Sequence, residues 1–145
     1  MDNDRTNEKE YEDEQTAIDD IEEELGVDIP RFLYRPEGLE FKDYNISKDF
    51  EYALLQYNYN DTIMTLYINK YDKETKSTGA SLDGKEIETI KLPEREASIQ
   101  VKRIMAKGDK KASYVAYWNN STEFYQIESQ MEEQEFIKLI KNIKF

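Results

Sequence analysis

Short connections between strand-like segments constrain the fold of this chain more than any other feature. Seven segments are rich in the β-branched and aromatic residues that favour strands, and most alternate between apolar and polar side chains. Most turns between them are far shorter than the crossover of about a dozen residues that parallel neighbours need. We therefore predict a mostly antiparallel sheet of six to seven strands. The predicted strands comprise residues 39–46, 52–59, 62–69, 85–92, 97–106, 112–118 and 122–128, with a loop over 71–81 and a turn over 93–95.

One predicted hairpin, formed by residues 52–59 and 62–69, carries apolar side chains on both faces. In its second strand Met64, Leu66 and Ile68 share one face, and Ile63, Thr65 and Tyr67 share the other. Two alternatives follow from this pattern. Either the strand pair is covered on both sides, or it presents an apolar face to a ligand or partner.

The last segment predicts a helix over residues 129–144 that lies across the sheet. Ser129 and Glu132 have the spacing of a capping box. Glutamates come first and lysines last, which suits the helix dipole. The apolar residues form one stripe at helical spacing: Met131, Phe136, Leu139, Ile140 and Ile143.

Another helix is predicted over residues 14–25. Thr16 with Asp19 is a candidate N-terminal cap, and Gly26 is a natural stop. The predicted fold is therefore α+β: a curved, mostly antiparallel sheet of six to seven strands, backed by an N-terminal and a C-terminal helix. The apolar residues at helical spacing are Ala17, Ile18, Ile21 and Leu25.

The negative charge of the chain is concentrated at its N-terminus. Residues 1–24 contain twelve acidic and two basic residues, so they carry most of the formal net charge of −12. Residues 1–14 also lack an apolar period. We predict that residues 1–14 are an acidic flexible linker and that residues 15–145 are a single α+β domain. An acidic arm that engages a basic partner is the alternative.

Several classes of function conflict with the composition. The chain has no histidine and no cysteine, which removes Ser-His-Asp and Cys-His catalysis and the usual zinc sites. Its negative charge argues against nucleic acids and anionic lipid surfaces. No apolar run is long enough to cross a bilayer, and no signal peptide precedes residue 20. Because Met1 lies directly on an acidic, solvated segment, we expect that an upstream membrane anchor or signal is absent from this sequence.

Acidic clusters are weak evidence for a catalytic or metal site in so acidic a chain. Glu22, Glu23 and Glu24 point in different directions on a helix, so they cannot converge on one ion. No phosphate loop or hydrolase motif occurs. We therefore predict no enzyme activity, no catalytic residues, no metal and no cofactor, and the ligand-binding residues stay unknown.

Eleven tyrosines and one tryptophan raise the question of an aromatic binding platform. Because tyrosine favours strands in any case, packing in the sheet is the interpretation that we prefer. For Trp118, a core role is favoured over a recognition role. If a ligand exists, the hairpin with Tyr57 and Tyr67 is the first place to look for it.

Three stretches of the chain form a recognisable set: residues 25–30 with 35–38, residues 55–57 with the returning strand, and residues 118–120 and 125–127 followed by Glu133, Phe136, Ile137, Ile140 and Ile143. Together they resemble the bacterial family known as domain of unknown function 4367. This chain departs from the family by having Glu128, Ser129 and Gln130 at the joint between strand and helix, where a glycine is usual.

The resemblance implies an extracytoplasmic part of a membrane-anchored protein, in some cases with anti-sigma-factor-like regulators. It also implies a curved sheet with a helical lid that can hold an apolar ligand, and it transfers no catalytic residue. We therefore expect a non-enzymatic binding or sensory domain, tethered outside the cytoplasm, whose partner is a protein or an apolar small molecule. The alternative is a structural protein-interaction module without a small-molecule ligand. A deep apolar cavity under the helices would favour the first, and a flat exposed edge strand the second.

Overall fold

The computed structural model describes residues 2–70, 84–92, 97–120 and 122–145, and of residues 2–12 and 97 it describes the backbone alone. The predicted loop over 71–81 and the predicted turn over 93–95 lie outside the described residues. The elements in chain order are α1 (Asp2–Leu25), β1 (Arg31–Phe32), β2 (Leu39–Ser47), β3 (Tyr52–Tyr59), β4 (Thr62–Lys70), β5 (Lys85–Leu92), β6 (Ala97–Ile104), β7 (Ser113–Asn119), β8 (Glu123–Ser129), α2 (Glu133–Lys141) and β9 (Ile143–Lys144).

Seven strands form one curved antiparallel sheet in the order β2-β3-β4-β8-β7-β6-β5. Two meanders, β2-β3-β4 and β5-β6-β7-β8, meet where β4 pairs with β8. Strands β1 and β9 form a separate two-stranded pair, which joins the segment after α1 to the C-terminus and which the sequence analysis does not predict. The predicted α+β fold is confirmed, and each of the seven predicted strands agrees with its observed limits within two residues.

The hydrophobic core lies on one face of the sheet, under the two helices. The register places one row of buried side chains across five neighbouring strands, from β3 to β6. Burial of each large apolar side chain contributes roughly 1.5–3 kcal/mol before entropy is counted. The row comprises Leu55, Leu66, Ile127, Ala116 and Val101, each 0% exposed.

Helix α1 begins at Asp2, well before the predicted start at residue 14. Thr16 therefore lies inside the helix, and its predicted capping role is wrong. The apolar period marks only the buried part of a helix, and acidic residues near the N-terminus also favour the helix through its dipole. Gly26 ends the helix as predicted, with a φ of 66° and its N–H bonded to the Glu22 carbonyl at 2.9 Å. That residues 1–14 act as a flexible linker stays a prediction, although Glu14 is buried.

Helix α2 is shorter than predicted, because both ends of the predicted segment belong to strands. Ser129 completes β8, where it pairs with Tyr114, and Ile143 lies in β9. The predicted capping box is wrong. Glu132 occupies the N-cap position and makes no capping bond through its side chain, while the Ser129 hydroxyl is buried in the sheet.

Candidate functional site

A buried carboxylate fixes α1 to the sheet. Glu14 is 5% exposed and accepts hydrogen bonds from the Tyr57 hydroxyl at 2.5 Å and the Arg35 guanidinium at 2.8 Å. Burial, together with the nearby carboxylate, raises the pKa of Tyr57 well above its ordinary value of 10.0. The sequence analysis missed this cluster. The spacing of the residues could have indicated that Glu14 is buried, since it lies one helical turn before Ala17 and Ile18 on the apolar stripe.

Three more tyrosines bond to acidic side chains near the helices. Tyr44 of β2 donates to Asp20 of α1 at 2.8 Å, and Tyr59 of β3 donates to Glu132 before α2 at 2.8 Å. Burial and the bond to Glu132 raise the pKa of Tyr59 to about 12. Tyr34 donates to Glu135 in the same way. These tyrosines hold the helices in place, so they are not available as a binding platform.

Trp118 has the core role that the sequence analysis favours. It is 3% exposed and stacks on Tyr125, with ring centroids 5.0 Å apart and planes within 10° of parallel. Phe145 packs edge-on against both rings. The Tyr125 hydroxyl donates to the backbone carbonyl of Asp28 at 2.7 Å, which fixes the segment after α1.

The opposite face of the sheet carries neither helix, and we call it the helix-free face. The register aligns Leu54, Tyr67, Gln126 and Tyr117 in one row across β3, β4, β8 and β7, and each of these side chains is half-buried. Tyr52 lies beside Tyr67, with ring centroids 5.7 Å apart. From the sequence alone, this hairpin is either covered on both sides or presents an apolar face to a ligand or partner. The structure places a half-buried row of apolar, aromatic and polar side chains here.

Two buried apolar residues support this surface from within the sheet. Val115 is 0% exposed and Phe124 is 2% exposed, yet neither belongs to the core under the helices. Phe124 contacts Tyr67, with ring centroids 6.4 Å apart. The face therefore has a small apolar centre of its own.

The two tyrosines of the predicted candidate hairpin lie on opposite faces. Tyr57 is 1% exposed and belongs to the core with Leu55, whereas Tyr67 lies on the helix-free face. The structure therefore does not bring them together in one site.

The described clefts lie away from the helices. One, of about 410 Å³, opens where β4 and β8 part, and we call it the β4–β8 cleft. Another, of about 260 Å³, lies on β2 and β3 beside Leu54. Neither takes a lining residue from α1 or α2. Residues that line the β4–β8 cleft include Asp61, Ile63, Thr65, Ser113, Glu128 and Ser129.

Both edges of the sheet are protected against pairing with another strand. Strand β2 has a bulge between Phe41 and Asp43, and β5 has one between Glu86 and Glu88. Both strands also carry several charged side chains. Bulges and charges discourage the addition of a further strand. The edges therefore do not favour an edge-strand partner.

The acidic residues of α1 engage separate partners rather than one ion. Glu22 accepts from the Ile29 N–H at 3.2 Å, and Glu24 pairs with Lys48 at 2.5 Å. Within the part of the chain that the structure describes, no group of three or more acidic side chains could hold a metal ion. Over the same residues, no helix is long and apolar enough to cross a membrane.

The comparisons with known proteins identify a family. The model for a domain of unknown function, DUF4367, matches residues 29–143, which include the whole sheet and α2 but not α1. No curated protein and no solved structure matches the chain significantly. Because the match covers most of the sequence, the chain belongs to the family of domain of unknown function 4367.

Proposed function

We propose that this chain is a non-enzymatic binding or sensory domain of a membrane-anchored bacterial protein, that it works outside the cytoplasm, and that it binds its ligand or partner on the helix-free face. One observation carries the proposal. The core under the helices is closed by buried side chains and by tyrosine–acid bonds, while the helix-free face combines the half-buried residues Leu54, Tyr67 and Tyr117 with polar side chains such as Gln126. Apolar and aromatic surfaces with a few polar groups are typical of binding sites.

The non-enzymatic part of the proposal is supported by the side chains available. Without histidine or cysteine, a nucleophile would need another activating base. The carboxyl groups that line the β4–β8 cleft belong to Asp61 and Glu128, and both residues are exposed. A general acid of the glycosidase type instead sits in a dry environment. The location outside the cytoplasm rests on the family resemblance alone.

The alternative function, a structural interaction module with no small-molecule ligand, uses a different surface. It was expected to show a flat and exposed edge strand. The bulges and charges on β2 and β5 weaken that reading, so we assign binding to the face of the sheet rather than to its edges.

Site-specific photo-crosslinking tests the binding face. A benzoylphenylalanine is placed at Leu54 or Tyr117 in the full-length native protein, in the cells that make it. Matched controls carry it at Glu23 or Gln134, which are exposed on α1 and α2. We expect one discrete crosslinked product from the two sheet positions and none from the helix positions. Products from the helix positions alone would refute the assignment.

A reporter fusion tests the location. Alkaline phosphatase, which folds to its active form only in an oxidising compartment, is fused after Phe145 of the full-length native protein. We expect phosphatase activity. An inactive but fully expressed fusion would place the domain in the cytoplasm.

A further inference from the structure

The row of side chains on the helix-free face takes one residue from each of the seven strands of the sheet. Beyond its four central members, Asn45 of β2 lies opposite Leu54, and Gln100 of β6 and Thr89 of β5 follow Tyr117. Charged residues make up 36% of the chain, yet none of the seven residues in this row is charged. The row consists of amides, hydroxyl groups, two tyrosine rings and a leucine. A ligand that matches it is therefore neutral and has both polar and apolar surfaces.

Gln126, in the middle of the row, has an unused hydrogen-bonding group. Its neighbours along β8, Tyr125 and Ile127, belong to the core, so the Gln126 side chain lies on the helix-free face. The side chain is half-buried, and its amide oxygen is buried without a hydrogen-bond partner among the described residues. A buried acceptor left unpaired costs about 1–3 kcal/mol. The oxygen breaks no hydrogen bond when the amide rotates outward, so a donor on a bound ligand would satisfy it without a loss elsewhere.

Two tyrosine rings flank this amide. Tyr67 lies opposite Gln126 on β4, and Tyr117 lies opposite it on β7. Because neighbouring strands are about 4.8 Å apart, the two tyrosines are separated by roughly 10 Å across the sheet. This separation is close to the length of a disaccharide. Aromatic rings pack against the C–H faces of sugar rings, while amides accept from and donate to sugar hydroxyl groups.

A cleft of about 260 Å³ continues the row toward β2. Asn45, Leu54 and Gln56 line it, and neither amide takes part in a side-chain hydrogen bond within the described part of the chain. Asp43 is its charged lining residue, and that carboxylate accepts from the N–H of Tyr44 at 2.7 Å. The cleft therefore offers two more amides to the hydroxyl groups of a ligand that extends along the row.

We propose that the helix-free face binds a neutral, extended glycan of β-linked sugars along this row, with Gln126 as a hydrogen-bond acceptor and the rings of Tyr67 and Tyr117 as packing surfaces. An extended β-linked chain can follow the row from strand to strand, whereas a chain of α-1,4-linked sugars coils. A peptide fits less well, because an added strand bonds to backbone groups at a sheet edge, and both edges are bulged and charged. This inference rests on the proposed binding function and names the ligand class.

Calorimetric titration of the protein with three hexasaccharides tests the inference. Cellohexaose and chitohexaose are β-linked and extended, and maltohexaose is α-linked. We expect saturable one-to-one binding of a β-linked probe that is at least 10-fold tighter than that of maltohexaose. Gln126→Met, which keeps the length of the side chain but removes the amide, should weaken this binding at least 10-fold. The matched control Gln134→Met, at an exposed position of α2, should weaken it less than 2-fold.

Further variants separate ligand binding from folding. Because the Gln126 oxygen has no partner in the free protein, Gln126→Met should leave the melting temperature unchanged or raise it. Tyr117→Phe keeps the ring and should retain the affinity within 3-fold, whereas Tyr117→Ala should lose at least 10-fold.

No saturable binding of either β-linked probe, or equal weakening by Gln126→Met and Gln134→Met, would overturn the inference. If Leu54 and Tyr117 positions still crosslinked to a protein in that case, the proposed function would stand, the partner would be a protein segment, and only the ligand class would fail.

Discussion

At Glu14 a single carboxylate joins three parts of the fold, because it accepts from Tyr57 of β3 and from Arg35 in the segment before β2. A buried charge is tolerated only when it is paired and hydrogen-bonded. The Glu14 side chain is 6% exposed and that of Arg35 is 25% exposed, so loss of the arginine leaves the carboxylate buried without its counter-charge.

Replacing Arg35 by methionine should therefore destabilise the protein by about 3 kcal/mol, the lower end of the range for breaking a buried ion pair. The matched control is Arg31→Met. Arg31 pairs with Glu22 at 3.6 Å and its side chain is 41% exposed, so the control should cost less than about 1 kcal/mol. Urea unfolding followed by Trp118 fluorescence measures both. Equal decreases in the free energy of unfolding would show that the Glu14–Arg35 ion pair contributes no more to stability than the exposed Glu22–Arg31 pair.

Gly38 is constrained by both its backbone and its surroundings. Its φ is 91°, and a Cβ placed there would clash with the side-chain oxygen of Asn60, in the turn that carries Asp61. Gly38→Ala should cost roughly 1–2 kcal/mol, through backbone strain and displacement of the Asn60 side chain. Gly108 has a similar φ of 94° but no atom within 4 Å, so Gly108→Ala isolates the backbone strain at roughly 1 kcal/mol. A cost for Gly108→Ala that matched or exceeded that for Gly38→Ala would contradict the predicted clash.

At the scale of elements, tyrosine–acid bonds dock both helices on the sheet, and this makes the fold sensitive to alkaline pH. The raised pKa values of Tyr57 and Tyr59 mean that the folded state keeps protons which the unfolded state loses above its ordinary tyrosine pKa of 10.0. The stability that these hydroxyls provide is fully present below about pH 10. It is lost as the pH rises through the folded value of about 12 for Tyr59.

We therefore expect the free energy of unfolding to fall steeply between pH 10 and 12. Tyr59→Phe should be less stable than the wild type by about 1 kcal/mol at pH 8, from loss of one hydrogen bond, but should decline less steeply above pH 10. The control Tyr117→Phe removes a hydroxyl on the helix-free face that bonds no carboxylate among the described residues. Unfolding midpoints measured at half-unit intervals of pH provide the comparison. An identical slope for all three proteins would refute the docking role of Tyr59.

The two halves of α1 should contribute differently to stability. Glu14 is the first residue whose described side chain is buried, and Ala17, Ile18 and Ile21 follow it into the core. The predicted linker role of residues 1–14 implies that removing residues 1–12 changes the free energy of unfolding by less than about 0.5 kcal/mol. Removing residues 1–22 should unfold the protein or cost several kcal/mol. A large effect of the shorter deletion would contradict the predicted linker.

Strands are predicted from this sequence more accurately than helix ends. Side-chain alternation and turn residues bound each strand on both sides, as at the Asn60–Asp61 turn. Helix α1 continues beyond its apolar stripe, and Ser129 has the pattern of a helix cap while its backbone completes β8. The placement of Tyr57 and Tyr67 on opposite faces of the sheet could have been predicted from the sequence, since the Asn60–Asp61 turn fixes the register of the hairpin. The bond from Arg35 to Glu14 joins residues 21 positions apart, which no local pattern encodes.

At the scale of the whole molecule, the sheet has one face closed by helices and one face without them. Its edges are bulged and charged, and its core is fixed to α1 and α2 by tyrosine hydroxyls. The half-buried side chains of Leu54, Tyr67 and Tyr117 share one row of the face without helices, whereas exposed apolar side chains such as Leu33 and Met105 lie outside that face. We propose that the domain binds its ligand or partner on this helix-free face.

Native mass spectrometry of the domain, purified gently from the cells that make it, tests directly whether the helix-free face binds a ligand or partner. The comparison is with the double variant Leu54→Asp/Tyr117→Asp and with Leu33→Asp/Met105→Asp, whose parent residues are exposed apolar side chains outside the face. For the wild type and the control variant we predict a species heavier than 17.3 kDa, and we expect the added mass to disappear on denaturation. The variant Leu54→Asp/Tyr117→Asp should be folded but should lack the added mass. A bare 17.3 kDa species for the wild type, or added mass that the face variant retains, would show that the domain does not bind on the helix-free face.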